Sequence, residues 1–94
     1  MGRGIGKRLE DIETEKLGIL YMDLFHEVHS DEAKRKEHSE LRKISKVLSN
    51  RDFKDRMEVY YKIIARIIFN ENRFFKDYKI YCDMRDHYHM HIIS

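Results

Sequence analysis

The stretch 53-FKDRMEVYYKIIARIIFNENRFFKDYKIYCD-83 decides the fold. Phe53, Met57, Tyr60, Ile64, Ile67 and Ile68 recur at steps of three and four, the period of an apolar helix face. The stripe stays in phase through Phe74, Phe75, Tyr78, Tyr81 and Cys82, and only Glu71 interrupts it. The pattern predicts one long helix over about 52–83, with Asp52 as candidate N-cap, or two helices divided by a kink near 70–72. The alternating four- and three-residue steps also resemble a coiled-coil seam. After Asp83, Arg85 and His89 would fall on the stripe, so 84–94 is expected to be an irregular or frayed tail.

Working outward, the chain has no proline and no glycine after Gly18. Tight strand hairpins favour glycine turns, so helices are expected throughout. Tyr78, Ile80, Cys82 and Met84 do alternate, which leaves a C-terminal hairpin over 78–93 as a lesser alternative. A first helix is expected over about 8–28, with Leu17, Leu20, Tyr21, Leu24, Phe25 and Val28 on one face. A second is expected over about 31–48, with Ser30 or Asp31 as N-cap. There Leu41, Ile44 and Leu48 oppose Arg35, His38, Arg42 and Lys46. Residues 1–7 form a glycine-rich basic arm that lacks the strand context of a nucleotide-binding loop. The expected architecture is one all-α domain over 1–94, a three-helix bundle in which the third helix is the central element.

Nineteen basic against seventeen acidic residues give a net charge of +2, too small to imply nucleic acid by itself. The distribution is uneven. Residues 9–32 hold Lys16 against eight acids, whereas 33–56 hold nine bases against four acids. The acidic first helix and basic second helix should attract each other, and the same bipolarity suits pairing between copies or steering toward a charged partner. The single cysteine, Cys82, lies in the apolar stripe and forms no intramolecular disulfide. The longest apolar run, 59-VYYKIIARIIF-69, contains Lys62 and Arg66 and is far short of the roughly 20 residues of a membrane helix. With no secretion signal, a cytoplasmic location is expected, and no membrane contact.

Five apolar residues, Ile19, Met22, Val59, Ile63 and Phe69, lie off the predicted stripes. They are the candidate protein interface, a dimer seam or a partner groove. Asp23 and Glu27 lie four apart and suit a solvated acidic face. His26, His29, His87, His89 and His91 are of a type that ligates zinc, but no second convergent set accompanies them, so no metal or cofactor is expected.

The seven residues 85-RDHYHMH-91 resemble the Arg–polar–x–His motif of HEPN-domain ribonucleases, helical proteins that pair this motif across a dimer. The resemblance implies Arg85 and His91 as a catalytic pair, with Asp86 as the polar neighbour. A further alternative is nucleic-acid binding by Arg3, Lys7, Arg8, Arg35, Arg42 and Lys46 through phosphate contacts. The following helix is too apolar to read a groove, and its start offers Arg51, Lys54 and Arg56 diluted by Asp52 and Asp55. The reading that covers most of these features is a non-enzymatic regulator or adaptor, of a size suited to an inhibitor or modulator of a larger machine. Its expected partner is another protein or a second copy, with no small-molecule substrate.

Overall fold

The structure, a computed structural model, describes residues 8–29, 35–69 and 76–93. A 3-10 turn at Leu9–Asp11 leads into α1 (Thr14–Val28), followed by α2 (Arg35–Ser49), α3 (Phe53–Ile68) and α4 (Lys76–Tyr88). A π turn, His89–Ile93, closes the described chain. The protein is an all-α bundle. The long C-terminal stripe is carried by two helices, and the lesser hairpin alternative gives way to helix over 78–93. The first helix starts later than its charge pattern suggested, at Thr14, because Ile12 and Glu13 have extended backbone that separates it from the 3-10 turn. Asp52 occupies the N-cap position of α3 without a side-chain cap bond. Ser30 and Asp31 lie outside the described residues.

α3 and α4 run antiparallel. Arg66 meets Tyr81, Tyr60 meets Tyr88, and Arg56 reaches Ile92, so contacts move forward on one helix as they move back on the other. The hub is α1, which touches α2, α3 and α4, rather than the third helix. α2 packs chiefly on α1 and on the π turn. The acidic and basic helices therefore do lie side by side, and the core sits where α1, α2 and the α3–α4 pair meet.

Gly18 explains why α1 takes the centre. A Cβ built there would lie 2.8 Å and 2.9 Å from the two methyl carbons of Val59, inside van der Waals contact. A bare backbone lets α1 settle onto α3 at this point, and Val59 is buried by it. This contact also fixes the rotation of α3. The side chains it turns inward are Val59, Ile63 and Ile67. The sequence stripe, Phe53, Met57, Tyr60, Ile64, Ile67 and Ile68, shares only Ile67 with them and is centred about a quarter turn away. α3 is apolar around more than half its circumference, so periodicity alone has no unique centre. The neighbour chooses it.

The tail expectation is corrected as well. Ile80, Met84, Tyr88 and Ile92 are all buried. They recur at every fourth residue. On an α-helix four residues overshoot a full turn by about 40°, so three such steps would carry the line off its face. The wider π turn rotates less per residue and brings Ile92 back over the core. Tyr88 fastens this end. Its hydroxyl donates to the Arg56 carbonyl at 2.7 Å, and its ring meets Tyr21 edge-on at 5.3 Å.

Two arginines at the start of α3, which offered nucleic acid only contacts diluted by Asp52 and Asp55, bind helix-end carbonyls. Arg51 donates to the carbonyl oxygens of Leu9, Glu10 and Ile12, at 3.3, 3.0 and 2.9 Å. Arg56 donates to those of Ile92 and Ile93, at 2.7 and 3.3 Å. Carbonyls that end a helical turn lack intrahelical partners and carry partial negative charge, which a guanidinium fork satisfies.

Candidate functional site

The rotation of α3 decides which apolar residues face outward. Of the five interface candidates, Met22, Val59 and Ile63 belong to the core, where burial accounts for their apolar character. Ile19 and Phe69 are exposed, at 43% and 80%. Most of the residues first assigned to the core line of α3 take the outer position, Ile67 excepted, and Tyr61 joins them. Phe53 is 58% exposed, Tyr61 61% and Ile68 65%, with Met57, Tyr60 and Ile64 partly buried between them. These six form a strip along the helix, flanked by Lys54, Glu58 and Lys62 on one side and by the π turn on the other. Lys62 reaches Glu15 of α1 at 3.3 Å, an exposed pair of small energetic weight.

A second surface lies between α2 and the end of α4. It is a groove of about 410 Å³ lined by His38, Leu41, Arg42, Ser45, His87 and His91. The π turn places His91 against His87, with ring centroids 4.5 Å apart. Tyr21 holds His87 from beneath, its hydroxyl 2.7 Å from Nδ1. Burial holds the Tyr21 phenol far above its ordinary range, so the hydroxyl keeps its proton and donates. Neutral His87 then carries its own proton on Nε2. Burial, followed by the charges of His91 and His29, pushes the His87 pKa down. His29 stacks on Phe25 at 4.1 Å, and its Nδ1 donates to the Phe25 carbonyl.

A third surface runs along α1. Leu9, Leu20, Leu24 and Ile44 line a cavity of about 440 Å³ with Asp23, Glu27, Glu40 and Lys43 around it. Leu20 continues into a neighbouring hollow with Ile12 and Ile19. Asp23 and Glu27 are exposed, as on a solvated acidic face, and they also edge this apolar groove.

No family model fits the chain, and neither a curated protein nor a solved structure is significantly similar to it. The chemistry is therefore argued from the residues alone.

Arg85 and His91 occupy different surroundings. Arg85 donates to Asp86 at 3.1 Å and feels Cys82 and Tyr60, while His91 lies over the α2 groove beside His87. The carboxylate of Asp86 raises the Arg85 pKa, mainly through that hydrogen bond. The motif residues are thus divided between two sides of α4. Among the described residues no three His, Cys, Asp or Glu side chains converge as metal ligands would. Cys82 is partly buried against the core. Of the basic set, Arg8, Arg42 and Lys46 are exposed, Arg35 opens α2, and Arg3 and Lys7 lie outside the described residues. No helix among the described residues is long and apolar enough to cross a membrane.

Sequence reasoning missed the joining of His38 and Arg42 to His87 and His91. A signal for half of it existed. The four-residue spacing of Ile80, Met84, Tyr88 and Ile92 keeps the segment helical, and a helix puts His87 and His91 on one side.

Proposed function

We propose that the chain is a non-enzymatic protein-interaction module that pairs with a second copy of itself along the outer strip of α3, and serves as a small regulator or adaptor. The observation that carries this reading is the strip's exposure: Phe53, Tyr61 and Ile68 are large, apolar and more than half accessible. The strip is also self-complementary. In an antiparallel two-fold pairing, Phe53 falls opposite Ile68, Met57 opposite Ile64 and Tyr60 opposite Tyr61. The same register brings Glu58 of one copy to Lys62 of the other on a shared flank, so the rim charges agree with the apolar match. One helix face of 16 residues is about 24 Å long. It buries less than the roughly 800 Å² per partner of a standard interface, which points to a micromolar dimer.

Light scattering across a concentration series should show mass rising toward a dimer. Tyr61→Glu and Ile68→Glu place a charge on the strip without entering the core, so both variants should stay monomeric with helical content unchanged. A wild-type protein that remains a strict monomer at high micromolar concentration would exclude the pairing.

A second reading, nucleic-acid binding, is favoured by the solvent face of α2, where Lys36, Arg42, Lys43 and Lys46 are all exposed. It predicts affinity for random duplex DNA that falls steeply with salt and is lost in an Arg42→Glu, Lys46→Glu double variant. The use of Arg51 and Arg56 on carbonyls removes two of its possible contacts.

A further inference from the structure

The groove between α2 and the end of α4 gathers positively chargeable groups from separate parts of the chain. His38 and Arg42 stand one turn apart on α2, and His87 and His91 one turn apart across α4 and the π turn. Leu41 and Ser45 are buried between them. The groups from α1 that face His87 are Tyr21, by hydrogen bond, and His29, by charge. No carboxylate lines the groove among the described residues. Asp86 is engaged by Arg85, and Glu40 lies on the α1 side of α2. Ser45 spends its proton on the Leu41 carbonyl, at 2.8 Å, and adds no charge.

Assembling these groups costs stability, since each protonation disfavours the next. The cost disappears when an anion occupies the space. We propose that this groove binds a phosphate group. Arg42 supplies a permanent charge and a donor fork suited to phosphate oxygens. His87 supplies Nε2–H, its orientation fixed by the Tyr21 hydroxyl on the other nitrogen. His38 and His91, exposed at the rim, add further ring donors around the anion. This site is independent of the outer strip of α3, so either can fail without the other.

Calorimetric titration of the full chain with sulfate tests the proposal. Sulfate keeps its charge across the neutral range and matches the tetrahedral oxygens of a phosphate group. Binding should be saturable, with one sulfate taken up per chain. Arg42→Gln and His91→Gln change exposed side chains and should each weaken binding at least about fivefold, whereas Lys46→Gln, on the same helix but off the groove, should not. Competition then identifies the source of the group. Displacement of sulfate by a short single-stranded oligonucleotide assigns a phosphodiester, and displacement by inorganic phosphate alone assigns a free phosphorylated molecule. Absence of saturable binding by sulfate and phosphate, or equal affinity in wild type and both groove variants, would overturn the proposal.

Discussion

Tyr88→Ala should unfold a large fraction of the protein. The side chain is fully buried between Tyr21 and Tyr60, and its hydroxyl satisfies the Arg56 carbonyl. Truncating a buried aromatic ring costs about 3–5 kcal/mol. A small domain has about 5–15 kcal/mol in total, so the loss consumes much or all of its stability. Tyr88→Phe keeps the ring and removes only the donor, which should cost about 1–2 kcal/mol. His89→Ala, at an exposed position one residue further on, should change stability by less than about 0.5 kcal/mol. Urea denaturation followed by helical circular dichroism distinguishes the three. Equal, near-zero effects would mean that the C-terminal turn does not belong to the core.

The second large effect belongs to Gly18→Leu. A methyl alone would press on both methyl carbons of Val59, and a leucine cannot be housed without parting α1 from α3. Overpacking of this kind costs about 3 kcal/mol. Gly18→Ala sets two effects against each other, because alanine favours the helix by up to about 1 kcal/mol over glycine. A cycle with Val59→Ala separates them. If the close approach is what matters, the two substitutions should couple by about 1 kcal/mol or more, the alanine at 18 being better tolerated once Val59 is shortened. Additive behaviour would show that Val59 is not the obstacle.

The helical class was legible because proline is absent and glycine stops at Gly18. The apolar face of α2 was legible too, since Leu41, Ile44 and Leu48 form one line with polar residues opposite, while α1 was legible in part: Leu17, Tyr21 and Phe25 are buried, but Leu20 is exposed and Met22 is buried. α3 was not, because Val59 and Ile63 compete with Phe53 and Ile64 for the inward position. Only the contact at Gly18, distant in sequence, resolves that competition. The tail was misread because a strict three- and four-residue rhythm has no place for Arg85 and His89, while a line of every fourth residue needs the π turn to close it. The histidine groove drew on α2 and α4 together, and no local pattern announces which face of one helix meets which face of another. Arg51 and Arg56 show the same limit. Nothing in an arginine's immediate neighbours tells whether it will reach for a phosphate or for a carbonyl.

Those two arginines also set how the protein answers a mechanical load. Arg51 grips the backbone at residues 9–12 and Arg56 grips it at 92–93, and the two stand just before and just inside the start of α3. Each clasp stands beside apolar anchors of the same segment, Leu9 and Ile12 at one end and Ile92 at the other, so a load on either end meets the clasp and the core together. Neither end should peel away as a separate flap, because parting a clasp also pulls on the buried side chains beside it.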